Sequence, residues 1–137
     1  MPEFQLHHVS IVITDLHRSV DFYQSLFGFE RLERPPFKTQ GAWLACGAVQ
    51  IHLIQYPPGT FRTRPIDTSD GHFCLRTDDF DGVLAGLVAK GFREDGDPDD
   101  PSFIVVIRNG AAPFPQLYLR DPDRNIVEIN GAPARHG

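Results

Sequence analysis

Three histidines and one glutamate occupy matching places in the two halves of the chain: His8 and His52 in the first, His72 and Glu128 in the second. In each half, one lies on the first predicted strand and the other on the last. Side chains alternate across a strand, so these four would lie on the face opposite the apolar residues that flank them. Three imidazoles and one carboxylate suit a borderline divalent ion such as Zn, Ni, Co or Fe(II).

A single strand histidine is more often a surface or core residue than a metal ligand, and Glu128 alone would be read as solvent-facing. The equivalence of the four positions in the two halves favours a shared metal site instead. His7, His17 and His136 have no such equivalence, so we interpret them as structural or exposed residues.

Residues 116–129 read as a strand, a tight turn and a second strand. The turn, Asp121-Pro122-Asp123-Arg124-Asn125, is a dense run of turn-forming residues. It sets the strand register, and this register puts Glu128 on the same face as Ile126. If that face is buried, the carboxylate needs an arginine, a lysine or a metal ion as its partner.

The segments His8–Asp15 and His72–Asp79 begin an internal repeat. In each half an aspartate precedes a helical stripe that ends at Gly-Phe, and short strands follow. The pattern predicts an α+β fold of two βαβββ modules, with mixed, largely antiparallel sheets and both helices on one side. We expect one domain over residues 1–137, with module one at about 6–56 and module two at about 71–131. A strand is expected at 92–94, and residues 131–137 are expected to fray.

The chain has 137 residues, a net charge of −5 and 13 lysines and arginines without a basic run. This composition predicts a globular domain and argues against nucleic acid or a membrane surface as a partner. Two cysteines, Cys46 and Cys74, are too few for a disulfide framework and are interpreted as small buried apolar residues. No apolar run approaches the roughly 20 residues of a membrane span. We therefore expect a cytoplasmic protein.

The motifs around His8–Tyr23, His72–Asp79 and Asp121–Glu128 together resemble the vicinal oxygen chelate superfamily. This superfamily includes glyoxalase I, extradiol dioxygenases, methylmalonyl-CoA epimerase, and fosfomycin- and bleomycin-resistance proteins. The resemblance covers about residues 6–131. It implies a cupped sheet with the helices on its outer face, enclosing one divalent metal (Zn, Ni, Co, Mn or Fe(II)), and a homodimer. It implies metal ligands at His8, His72 and Glu128, with His52 at the extra ligand position of glyoxalase I.

The resemblance implies three alternative functions. The first is a glyoxalase-like lyase or isomerase that forms an enediolate from a small substrate with vicinal oxygens, with Glu128 or His52 as base. The second is a ring-cleaving dioxygenase that uses His8, His72 and Glu128 on Fe(II). The third is a non-catalytic small-molecule binding or resistance protein.

Two positions bear on the choice between these functions. Tyr118 lies ten residues before Glu128, as does a site tyrosine in extradiol dioxygenases and fosfomycin enzymes, and is a third candidate catalytic residue. Val12 stands where glyoxalase I has an arginine for the glutathione carboxylate. Activity with glutathione conjugates is therefore expected to be weak.

Overall fold

The chain forms two four-stranded sheets, each with one helix, in a computed structural model that describes residues 1–60 and 62–133. It divides into two compact units, residues 1–61 and 62–137, which contain modules one and two. The predicted α+β fold with two modules is confirmed. Most of the tail predicted to fray, and His136 within it, lies outside the described residues.

Module one contains five elements: β1 (His8–Ile13), α1 (Leu16–Phe27), β2 (Glu30–Leu32), β3 (Gly41–Cys46) and β4 (Val49–Gln55). Its strands lie in the order β1-β4-β3-β2. The β1–β4 pair is parallel and the other pairs are antiparallel, which gives the mixed sheet that was predicted. Helix α1 contacts β3 and β4.

Module two repeats this plan with β5 (His72–Thr77), α2 (Phe80–Ala89), β6 (Val105–Ile107), β7 (Gln116–Arg120) and β8 (Ile126–Gly131). Its strand order is β5-β8-β7-β6, again with one parallel pair, β5–β8. The strand expected at 92–94 is wrong. Only a single bridge forms there, between Arg93 and Phe103, because, of residues 92–94, Arg93 alone exchanges backbone bonds with the opposite segment, with Ser102 and Ile104.

The predicted aspartates begin both helices. The Asp15 carboxylate accepts from the Arg18 amide at 3.0 Å, and the Asp79 carboxylate accepts from the Gly82 amide at 3.0 Å. Each such cap contributes about 1 kcal/mol. Helix α1 ends at Gly28, whose φ of 68° lies in the left-handed region that glycine adopts without strain. None of the helices in the described segments is both long and apolar enough to cross a membrane.

Alternation along the strands separates an apolar face from a polar face in each module. The apolar residues that are almost completely buried alternate along the central strands: Leu44, Ile51 and Leu53 in module one, and Leu117, Leu119, Val127 and Ile129 in module two. His52, Tyr118 and Glu128 lie between them in sequence and therefore on the opposite faces. His8 and His72 lie on those faces too, because His8 pairs with Gln50 and His72 pairs with Ile126. We call these opposite faces the polar faces of the two modules.

The turn between β7 and β8 is held by the buried Asp121 carboxylate, whose residue is 4% exposed. Oδ1 accepts from the amides of Asp123 at 2.9 Å and Asn125 at 2.8 Å, and Oδ2 accepts from the Asn125 side chain at 2.9 Å. Arg124 adopts a φ of 67°, which is unfavourable for a residue with a side chain. The carboxylate therefore stabilises a strained turn that sets the β7–β8 register.

Arg120, the last residue of β7, brings a buried guanidinium to the polar face of module two. Nη2 donates to the carbonyls of Pro98 at 3.0 Å and Asp100 at 2.7 Å. Nε and Nη1 find no partner among the described residues, and burial, followed by the charge of Arg124, lowers the pKa of Arg120. This side chain anchors the acidic 97–100 loop through backbone carbonyls rather than through an ion pair.

We predict that Asp121→Ala lowers the free energy of unfolding by about 2–4 kcal/mol, because it leaves three donors of a buried turn without their acceptor. Urea unfolding measures this change. Asp95→Ala, at an exposed aspartate, is the control and should shift stability by less than about 0.5 kcal/mol. An Asp121→Ala variant as stable as this control would show that the turn does not depend on the carboxylate.

Candidate functional site

The polar face of module two carries three of the predicted site residues, His72, Tyr118 and Glu128. Backbone pairing puts Glu128 directly opposite Cys74 on β5 and directly opposite Tyr118 on β7. His72 lies two residues before Cys74 and therefore on the same face. The register set by the Asp121 turn thus places the carboxylate between two strands that carry polar side chains.

His72 and Glu128 are in direct contact, with 3.0 Å between Nε2 and Oε1. The Glu128 side chain is 9% exposed and the His72 side chain is 23% exposed. On the other side of the ring, Nδ1 lies 2.7 Å from the Asp70 carbonyl oxygen. A carbonyl only accepts, so Nδ1 donates to it, while Nε2 faces an ionised carboxylate that also only accepts. A further proton or a cation is therefore required between Nε2 and the carboxylate.

The segment that orients His72 is itself held in place. Arg62 Nε donates to the Asp70 carboxylate at 2.9 Å, and Nη2 donates to the Gly71 carbonyl at 3.2 Å. The hydrogen bond from Arg62 lowers the pKa of Asp70, so this residue stays ionised. A backbone carbonyl that fixes the histidine tautomer is a frequent outer partner of metal-binding histidines.

Glu128 is surrounded by hydrogen-bond donors. Burial favours its neutral form, but hydrogen bonds from Gln116, Cys74, Tyr118 and His72 outweigh burial and leave its pKa below the ordinary value. The Gln116 amide lies 3.3 Å from Oε2. Glu128 is therefore an ionised carboxylate with a fixed orientation, which suits either a metal ligand or a base.

Tyr118 and Cys74 remain protonated beside this carboxylate. Burial, followed by the charge of Glu128 and a hydrogen bond to it, raises the pKa of Tyr118 to about 12. Partial burial of the thiol, followed by the same charge and a hydrogen bond to Glu128, raises the pKa of Cys74 to about 12 although the residue as a whole is exposed. Tyr118 also meets the His72 ring edge-on, with 5.4 Å between centroids. Both are thus donors at neutral pH. The prediction that both cysteines are buried is wrong, because Cys46 is only half-buried and Cys74, on the edge strand β5, is exposed.

The polar face of module one carries a stack of rings. His52 lies between His8, at a centroid distance of 3.9 Å, and Trp43, at 4.4 Å, with interplanar angles of 13° and 6°. His52 is 7% exposed, whereas His8 is exposed. His7, which the sequence reasoning set aside, is also exposed, and its Nδ1 lies 2.8 Å from Nδ1 of His8.

The chemistry of His52 differs from that of His72. Its Nε2 lies 2.8 Å from Oε1 of Gln50 and donates to it, so the lone pair of the neutral ring is on Nδ1. Burial, followed by the nearby charges of His8, His7 and Arg34, lowers its pKa. His52 is therefore a neutral ring at pH 7, the form that a metal ligand or a general base requires.

The structure thus brings the predicted ligands together as two pairs, His8 with His52 and His72 with Glu128. Within residues 1–60 and 62–133, no three His, Cys, Asp or Glu side chains are grouped closely enough to hold a metal ion. The assignment of all four as ligands of one ion stays a prediction.

Three neighbours of the site were missed by the sequence reasoning: Trp43, Asp70 and Gln116. Gln116 lies two residues before Tyr118, and alternation alone would have placed it on the same face. Trp43 pairs with His52, a fact that requires the β3–β4 register. Asp70 acts through its carbonyl, which every residue has, so no signal in the sequence identifies it.

Comparison with known proteins identifies the family of this chain. Residues 5–129 match the family model of the Glyoxalase/Bleomycin resistance protein/Dioxygenase superfamily. The chain is 28% identical over 128 residues to Glyoxylase I 4 of Arabidopsis thaliana, covering 90% of this chain and 68% of that protein. It is 31% identical over 144 residues to Lactoylglutathione lyase GLX1 of the same plant, covering 87% of this chain but only 50% of that protein.

Among solved structures, the fosfomycin resistance protein FosX of Listeria monocytogenes superposes with a TM-score of 0.71 at 14% identity. The superposition covers 96% of this chain and 95% of FosX. At that identity the likeness concerns the fold alone. The matched family model extends over both modules and includes all four predicted ligand positions. The chain belongs to the Glyoxalase/Bleomycin resistance protein/Dioxygenase superfamily.

Proposed function

We propose that this protein is a metal-dependent, glyoxalase-like lyase or isomerase that acts on a small substrate with two vicinal oxygens. The observation that carries the proposal is the His72–Glu128 pair, in which a ring nitrogen and an ionised carboxylate oxygen face each other at 3.0 Å. The similarity to proteins named as a glyoxylase and a lactoylglutathione lyase supports this reaction class.

The His72–Glu128 pair consists of donor types that divalent ions bind. His72 and Glu128 supply nitrogen and oxygen donors, and the Asp70 carbonyl holds the ring nitrogen that faces away from the pair. We propose His8 and His52 as the remaining ligands. When bound, Zn, Ni, Co, Mn or Fe(II) would act as a Lewis acid towards two neighbouring oxygens of the substrate.

Three residues of the chain contribute to proton transfer. Glu128, ionised and held by several donors, accepts a proton from a substrate carbon and returns it to the adjacent carbon. Tyr118, protonated because burial raises its pKa to about 12, donates a hydrogen bond to that carboxylate and holds its orientation. His52 is the alternative base because its lowered pKa keeps the ring neutral.

One observation favours a second function, ring cleavage by a dioxygenase. Both faces of the His52 ring are covered and its Nε2 donates to Gln50. If His52 is a hydrogen-bond partner rather than a ligand, His8, His72 and Glu128 remain as two histidines and one carboxylate. That set holds non-haem Fe(II) in oxygenases.

For the metal, we predict one divalent ion per chain after purification. His72→Ala and Glu128→Ala should each weaken zinc binding at least about tenfold, because each removes a direct ligand. Equilibrium dialysis with elemental analysis measures this. The matched control is His17→Ala at an exposed histidine of α1, which should leave zinc binding unchanged. A variant that keeps the wild-type zinc affinity would remove its residue from the proposed site.

For His52, the informative variant is His52→Phe, which keeps a ring between His8 and Trp43 but has no lone pair. We expect zinc binding to weaken severalfold in both His52→Phe and His52→Ala, with His52→Phe closer to wild type in thermal stability. Calorimetric titration with zinc and thermal unfolding separate the two effects. Wild-type affinity in His52→Phe would instead favour the three-ligand set.

For the reaction, we predict that the zinc- or nickel-loaded protein isomerises hemithioacetals, weakly with the glutathione adduct of methylglyoxal. Glu128→Gln should lower kcat by about 10²–10⁴ at saturating metal, because the carboxylate is the base. Glu94→Gln, at an exposed carboxylate paired with Arg108, should keep full activity. Cleavage of catechol that depends on Fe(II) and O₂, without isomerase activity, would establish the second function instead.

A further inference from the structure

Arg76 lies on the polar face of module two, close to the proposed reaction centre. It belongs to β5 and pairs with Asn130 of β8. This pair lies two residues further along the strands than the Cys74–Glu128 pair. Two residues along a strand correspond to about 7 Å. The long side chain of Arg76 can therefore reach a ligand whose reacting end lies at Glu128.

The guanidinium of Arg76 is held in place on two sides. Nε donates to Oδ1 of Asn130 at 3.1 Å, and Cζ lies 4.8 Å from the centroid of the Phe114 ring. The hydrogen bond fixes one edge, and the aromatic ring covers one flat face. The outer edge, formed by Nη1 and Nη2, has no hydrogen-bond partner within residues 1–60 and 62–133. Arg76 itself is exposed.

Other arginines of the same compact unit are already engaged. Arg108 holds Glu94 through two bonds of 2.9 and 2.7 Å. Arg62 is paired with Asp70, and Arg120 is buried against loop carbonyls. Arg76 differs because its supports are an amide and a ring, which neutralise no charge. A preoriented, uncompensated cation with a free bidentate edge is the arrangement that binds carboxylates.

We infer that Arg76 recognises a carboxylate of the ligand, so that the substrate class is a small organic acid whose carboxylate lies several bonds away from its vicinal oxygens. The placement of those oxygens at His72 and Glu128 rests on the proposed function. A carboxylate fits better than a neutral group because two parallel N–H bonds match its two oxygens in one plane. With Phe114 against one face, the ligand approaches along the free edge.

The test compares two probes that differ only in this group, 3,4-dihydroxybenzoate and 3,4-dihydroxybenzamide. Both carry vicinal oxygens at one end, and only the acid carries a charge at the other. Calorimetric titration of the full chain, with and without zinc, gives the dissociation constants. We expect the wild-type protein to prefer the acid by at least about tenfold, the size of a charge-assisted hydrogen-bond pair at a partly exposed site.

Arg76→Gln should reduce this preference to within about twofold, whereas Arg76→Lys, which keeps the charge but loses the fork, should retain part of it. Phe114→Leu should lower the preference by removing the support of the guanidinium. Arg108→Gln is the matched control and should keep the wild-type preference, because that arginine already holds a carboxylate.

An acid that binds no better than the amide, or that does not bind the wild-type protein at all, would overturn the inference, as would a full preference in Arg76→Gln. The two proposals fail separately. Preference for the acid without zinc binding or isomerase activity would leave Arg76 as an anion-binding residue and refute the proposed reaction. Zinc binding and activity without this preference would refute only the role of Arg76.

Discussion

The buried carboxylate of Glu128 is the constraint on which the polar face of module two depends. Burying an ionised carboxylate without partners is strongly unfavourable, by several kcal/mol even after relaxation. Its partners come from both neighbouring strands, His72 and Cys74 from β5 and Tyr118 and Gln116 from β7. A shift of one residue in either pairing would turn these donors to the apolar face. The register of the sheet and the ionisation of Glu128 therefore support each other.

The two modules have the same topology but different chemistry at equivalent positions. In module two, the residues on the first and last strands form a polar pair, His72 and Glu128, with surrounding donors. In module one, they form an aromatic stack in which His52 is held between His8 and Trp43. Stacked rings fix orientation through packing, whereas the carboxylate is oriented by hydrogen bonds. The candidate ligands therefore occupy equivalent positions in the two modules, but ring stacking orients them in one module and hydrogen bonds orient them in the other.

The fold leaves the reaction open, because one architecture supports many functions. FosX shares the fold of this chain, whereas relatives found by sequence carry glyoxylase and lyase names. Residues around the predicted ligands must then decide the substrate. Here the two module-equivalent positions four residues after His8 and His72 hold Val12 and Arg76. Module two thus carries a supported cation at the position where module one carries an apolar side chain. The expected homodimer, which would bear on substrate access, stays a prediction.

The sequence by itself determined the local structure and the faces of the strands. Asp15 and Asp79 predicted the helix starts because a carboxylate satisfies free amides, and strict alternation predicted that Glu128 lies opposite the apolar core. The prediction from sequence was wrong at 92–94, where a strand-like composition lacks a partner of sufficient length, and at Cys74, which is exposed on the edge strand β5. Contacts between distant residues required the tertiary structure. The Asp70 carbonyl that fixes the His72 tautomer, the Trp43 ring against His52 and the Phe114 support of Arg76 all depend on backbone pairing or loop course. A pattern of residue types does not encode these contacts, because each depends on where the folded chain brings two separate segments together.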